Sequence, residues 1–108
     1  MIKMIEVEFF RSEGLFKGFT SKGHSLTAPS GQDILCAFVS SACLMAANTV
    51  TDVLNLSADA EAEKGFLRLE IKDDPVSAQD ILKGLLLHLN ELQKEYPENI
   101  KVIISEVQ

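Results

Sequence analysis

Two residues in this chain have side chains suited to acyl transfer, and they stand close in sequence. His24 and Cys36 are one of two histidines and one of two cysteines, separated by twelve positions. Between them runs Ser25-Leu26-Thr27-Ala28-Pro29-Ser30-Gly31, small, hydroxylated and turn-forming. After Gly31 the composition changes to Asp33-Ile34-Leu35-Cys36-Ala37-Phe38-Val39, the opening of a buried helix. A thiolate is the attacking species, and a free thiol with a pKa near ~8.5 is mostly protonated at neutral pH. Two devices lower that barrier. A helix N-terminus offers partial positive charge and unpaired N–H groups. A neighbouring imidazole takes the proton and returns it to a leaving amine. With Ser30 as N-cap, Cys36 falls in the second turn and the helix field has faded; with Asp33 as N-cap, Cys36 is the third helical residue and feels it fully. Sequence alone leaves both caps open.

Asp33 at i−3 and Ser40 at i+4 share a helical face with Cys36. Asp33 would either orient His24 or cap the helix. Ser40 would hydrogen-bond within the site or back-bond to its own helix. The loop from Ser25 to Gly31, with Pro29 within it and Gly23 before it, is expected to move when empty. Its closure over a peptide would carry His24 to Cys36 and exclude water. Peptide N–H groups at the helix start are the natural oxyanion donors. The plainer reading is a core cysteine and a solvated loop histidine. Under it, the chain is a non-catalytic ribosome-associated or dimerisation module of the same fold. A metal site from His24, Cys36, Cys43 and His88 matches no zinc spacing, so no metal and no cofactor are expected.

Gly23-His24, a loop, and then Gly31-Gln32-Asp33-Ile34-Leu35-Cys36-Ala37-Phe38-Val39-Ser40 resemble the motif of the ribosomal-processing cysteine proteases (Prp). That motif reads Gly-His, a loop, then Gly-x-Asp-Ile-(Val/Leu)-Cys-Ala-Ala-x-Ser. The resemblance extends to chain length, element order and the opening MIKMIEVEFF. Ser25 stands where the family has Ala after the histidine. Phe38 stands where it has a second Ala after the cysteine, setting a large ring two residues from Cys36. The resemblance implies a Cys36–His24 peptidase that trims a short N-terminal extension from the bacterial large-subunit ribosomal protein numbered twenty-seven. It also implies cleavage after aromatic residues and action as a homodimer.

The elements that must hold these residues follow from hydrophobic period. Ile5-Glu6-Val7-Glu8-Phe9 alternates as a half-buried strand, Arg11 to Gly14 is a turn, and Leu15 to Thr20 returns as a second strand. That strand delivers Gly23 and His24 at a sheet edge. A lean, alanine-rich helix is expected from Asp33 to about Val53, with Cys43 packed in the core two turns beyond Cys36. Their Cα atoms, ~10 Å apart at ~1.5 Å rise per residue, cannot be bridged by a disulfide. Asn55 to Ala62 is ambiguous, with a short acidic strand one option. Phe66 to Lys72 is a strand. Ser77, with Asp80 three residues on, reads as a cap opening a leucine-rich helix that Pro97 ends. His88 lies on the flank of that helix, and Ile100 to Val107 is the last strand. The expected fold is α+β: one domain over 1–108, a mostly antiparallel sheet of four to five strands, and two helices.

Bulk composition agrees. Hydrophobic residues at 46% and charged residues at 24% describe a globular chain. The net charge of −6 disfavours nucleic acid and suits a basic partner. No unbroken run of eighteen apolar residues and no signal-peptide pattern is present, so no membrane partner and a cytoplasmic location are expected.

Overall fold

A computed structural model describes residues 4–23 and 30–108, with the backbone alone for 30–33. The elements are β1 (Ile5–Ser12), β2 (Leu15–Lys22), α1 (Ser30–Asn48), β3 (Ala58–Glu63), β4 (Phe66–Ile71), α2 (Gln79–Glu95) and β5 (Ile100–Glu106). The sheet order is β3-β4-β2-β1-β5. Three of its pairings are antiparallel, and only β1 with β5 is parallel, because α2 crosses over between β4 and β5. The expected α+β architecture is therefore the observed one.

The alternation in β1 and β4 places Ile5, Val7, Phe9, Leu67, Leu69 and Ile71 on the face that meets both helices. Leu35, Val39, Cys43, Ala46 and Val50 of α1 and Leu82, Leu85 and Leu89 of α2 close that core. The opposite face carries cross-strand ion pairs such as Lys22–Glu6 and Arg68–Glu61. By length and composition Ile34–Val53 could cross a membrane, with a mean hydropathy of 1.7. One side of that helix packs into the domain core, while Ile34, Phe38, Leu44, Met45 and Val53 stay exposed on the rest of it.

Four sequence expectations change in detail. Strand β1 runs to Ser12, so the hairpin turn is only Glu13-Gly14, at φ 52° and 80°. These are the values of a type I′ turn, whose twist matches the strands it joins. The first helix ends as α-helix at Asn48 and continues as a π-turn over Thr49–Val53. Within the ambiguous segment the strand option holds only from Ala58 on, as β3, which runs to Glu63. Ser77 does not cap α2. The Asp74 carboxylate accepts from the Val76 N–H and caps a 3-10 turn, Pro75–Ala78, that leads into α2 at Gln79.

That geometry puts Gln79 where a strand is missing. Strand β4 pairs with β2 only from Gly18 onward. Beside Phe16, the Gln79 Oε1 accepts from the Phe16 N–H at 2.8 Å, and the Gln79 Nε2 donates to the Phe16 carbonyl at 2.8 Å. The same amide nitrogen donates to the Pro75 carbonyl. The side-chain amide thus stands in for a strand residue. Gln79→Leu strands a buried N–H and a buried C=O, and a loss of about 2–4 kcal/mol is expected in urea unfolding. Gln79→Glu, which lacks the donor, should lose a comparable amount.

Candidate active site

The helix backbone begins at Ser30, so Gly31 is helical and Asp33 lies inside the first turn. This corrects one expectation and narrows another: Gly31 is not part of the loop, and of the two caps left open Asp33 is not the one. Cys36 is consequently in the second turn, where the terminal field of the helix has faded. His24, Ser25 and Pro29 lie outside the described residues, as does the expectation that their loop moves. Gly23 is the last described residue before them.

Gly23 fixes where that segment leaves the sheet. Its φ is +95°, and a Cβ on it would fall 2.4 Å from the Met4 carbonyl oxygen. Only glycine fits both the conformation and the space. One residue earlier, Lys22 pairs with Phe66, the first residue of β4. The exit of β2 therefore adjoins the β3–β4 hairpin, and that hairpin is one wall of a cavity whose other wall is α1.

The cavity has a volume of about 260 Å3. Cys36, Ala37, Ser40, Cys43 and Leu44 line it from α1, and Ala62 through Leu67 line it from the hairpin. Cys36 is half-buried there and Ser40 stands one turn on, so the structure brings these two together. The hairpin wall was not visible in the sequence, although the alternation Ala58-Ala60-Ala62 carried its signal: small residues on the helix-facing side leave a hollow beside α1.

The two thiols are sharply distinguished. Both are free. Cys43 has no exposed surface, and burial pushes its thiol up to about 12 despite a hydrogen bond with the Ser21 hydroxyl. It stays a neutral S–H throughout the physiological range. In the unfolded chain an ordinary thiol ionises near pH 9, so between pH 9 and 12 the folded state holds a proton that the unfolded state has lost. Stability must then fall as pH rises, by up to about 1.4 kcal/mol per pH unit. Urea unfolding of Cys43→Ser between pH 8 and 10.5 should show a shallower decline than the native chain.

Phe38 does not crowd Cys36. Two residues along a helix turn the side chain by about 200°, and the ring lies 48% exposed in a separate groove between α1 and α2. Met45, Ile81 and His88 share that groove, whose volume is about 710 Å3. His88, exposed on α2 as expected, is thus remote from the Cys36 cavity. Among the described residues no cluster of three His, Cys, Asp or Glu side chains could hold a metal.

Comparisons with known proteins point to one family and one fold. A family model described as cysteine protease Prp matches residues 4–101. The ribosomal processing cysteine protease Prp of Bacillus subtilis (strain 168) is 28% identical over 91 residues, covering 78% of this chain and 81% of its own. The essential ribosomal processing protease Prp from S. aureus, solved with a substrate peptide, superposes with a TM-score of 0.84 at 25% identity, over 94% of this chain and 100% of that one. The same enzyme with a covalently linked product peptide gives 0.81 at 26% identity, with the same shares covered. A Streptococcus mutans protein shares the fold, with a TM-score of 0.80 at 22% identity over 96% of this chain and 99% of that one. With the family model spanning nearly the whole domain, from the first strand through the second helix, the chain belongs to the Prp family of cysteine proteases.

Proposed function

We propose that this chain removes a short N-terminal extension from the large-subunit ribosomal protein numbered twenty-seven, with Cys36 as nucleophile and His24 as general base and acid. The observation that carries this reading is the contrast between the thiols: Cys36 is partly exposed on the wall of a largely apolar cavity, whereas Cys43, on the same wall, has no exposed surface and is held protonated. His24 takes the Cys36 proton, and the thiolate attacks the peptide carbonyl carbon. The C–N bond breaks as the imidazolium returns that proton to the departing amine. Water, deprotonated by His24, then hydrolyses the thioester and frees the thiol. A 260 Å3 apolar cavity beside the sulfur suits an aromatic side chain next to the scissile bond. The S. aureus enzyme, solved with substrate and product peptides, supports a peptide as substrate here.

In this reading Ser40, one turn on from Cys36, supports the site, and Asp33 either orients His24 or favours the start of α1. The proposal includes a cytoplasmic location, where a reduced thiol persists, and a homodimer. The apolar groove between α1 and α2, with Phe38 and Met45 half-exposed in it, supports self-association.

The test is incubation with a synthetic peptide of that N-terminal extension, read by mass spectrometry. One cut after an aromatic residue is expected, with little cleavage of unrelated unfolded proteins. No cut, or cuts scattered over any unfolded chain, would contradict the reading. Light scattering on the purified chain is expected to give twice the mass of 11.9 kDa.

A further inference from the structure

The sheet has two outer strands, and their open edges differ. Along β5 a side chain covers the backbone: the Gln93 Oε1 of α2 accepts from the Val102 N–H at 2.6 Å. The gap beside Phe16 is filled in the same way by Gln79. Strand β3 has no such cover. It pairs with β4 on one side, and among the described residues nothing pairs with the other. Which groups are left bare follows from the ladder. The Lys72 N–H donates to the carbonyl of Ser57, the residue just before β3, at 2.8 Å. In an antiparallel pair the bonded positions alternate. Asp59, Glu61 and Glu63 therefore turn their N–H and C=O groups toward β4, and Ala58, Ala60 and Ala62 turn theirs outward. The open edge thus presents a row of backbone donors and acceptors.

The same alternation sets what an added strand would meet. The three alanines stand opposite Ile71, Leu69 and Leu67, so their side chains share the sheet face that meets the helices. Ala60 and Ala62 are nevertheless exposed, so neither helix covers this edge. Its far end runs into the Cys36 cavity, which Ala62 and Glu63 line.

We propose that the outer edge of β3 binds the peptide substrate as a sixth strand, with the segment beside the scissile bond pairing with Ala58, Ala60 and Ala62. This rests on the reading of Cys36 as the nucleophile that cuts a peptide. Main-chain bonds supply affinity and alternate side chains supply selectivity in such pairing. Peptide residues directly opposite Ala60 and Ala62 share the face of the alanines. They point to the side of the sheet that holds Cys36, and the methyl groups leave them room. The residues between them point to the other face, beside Asp59, Glu61 and Glu63. Lys72 and Arg68 already engage Asp59 and Glu61, at 3.5 and 3.7 Å. A second copy of this strand would set carboxylates against carboxylates, which is destabilising across a strand pair. The edge therefore suits a neutral or basic extended segment and not another β3.

The experiment uses the extension peptide and reads binding apart from turnover. In Cys36→Ala, which should bind without cutting, amide hydrogen exchange is followed by NMR with and without saturating peptide. Exchange at Ala58, Ala60 and Ala62 is expected to slow about 10-fold or more, while Asp59 and Glu61, already bonded to β4, change less than about threefold. With the native chain, backbone amides of the peptide outside the scissile bond are N-methylated one at a time, which leaves the fold of the protein untouched. KM should rise about 5- to 20-fold at every second position beside the cut, with kcat within about twofold. Ala60→Pro removes one outward N–H without losing a bond to β4. It should raise KM by a similar factor, with a thermal melt to check its fold. Cleavage with the three amides unprotected and no alternation in KM would overturn the docking edge and leave the proposed cleavage standing. Exchange at those amides that slows with protein concentration in the absence of peptide would assign the edge to a second copy, and would overturn it too. No cut by the native chain, with the amides unprotected, would remove the proposed cleavage and the docking edge with it.

Discussion

Cys36→Ala is expected to abolish cleavage of the extension peptide, with kcat reduced by about 10⁴-fold or more. The reason lies in the position of this sulfur. It sits in the second turn of α1, beyond the reach of the helix terminus, on the wall of a cavity large enough for a substrate side chain. No second thiol can replace it, because Cys43 is buried and stays protonated far above neutral pH. His24→Ala should lose nearly as much, since in the proposed mechanism the imidazole takes the thiol proton and returns it to the leaving amine. The double variant should be no worse than Cys36→Ala alone, because residues that act as a unit are not additive.

Gly23→Ala is the second large effect, and it acts at a distance from the sulfur. The added Cβ would sit 2.4 Å from the Met4 carbonyl oxygen and 3.3 Å from the Ile5 Cα, at a φ of +95° that alanine rarely adopts. Backbone cannot yield as a flexible side chain does. Either β2 must separate from β1 at its end or residue 23 must turn over. Both outcomes redirect the chain one bond before His24. Turnover is expected to fall by about 10- to 100-fold, with stability lowered by about 1–3 kcal/mol. Gly14→Ala provides the control. It sits at φ +80° in the distant β1–β2 turn with nothing within 4 Å of its Cβ, so it should cost stability with kcat unchanged. Equal losses of kcat in both variants would show that Gly23 matters only as a turn residue.

Much of this architecture was readable from residue order. The two-residue period of Ile5 to Phe9 and of Leu67 to Ile71 reports a sheet with one dry face, and the leucine spacing of α2 reports the layer that covers it. The residues around Cys36 reported a helix, which begins at Ser30, three residues before the expected Asp33. Other features depend on partners distant in sequence, which no local pattern encodes. Gln79 looks like a surface glutamine until Phe16, 63 residues away, supplies its hydrogen bonds. Ser77 has the look of a cap, yet Asp74 with Pro75 begins the turn earlier because proline pre-sets the first helical φ. Phe38 appeared to crowd Cys36 because it is near in sequence, whereas the helix turns it to the opposite side. The hairpin wall of the cavity, Ala62 through Leu67, was hidden because an acidic, alanine-rich edge strand has weak β-propensity and forms only against β4.

The proposed cleavage requires that a peptide be joined covalently to one sulfur. The most direct measurement is to mix the protein with the extension peptide, quench in acid within milliseconds to seconds, and locate the acyl adduct by mass spectrometry of proteolytic fragments. A transient thioester on Cys36, absent in Cys36→Ala and accumulating too slowly to detect in His24→Ala, is the predicted result. Cleavage that persists in Cys36→Ala, or an adduct carried by Cys43, would contradict it.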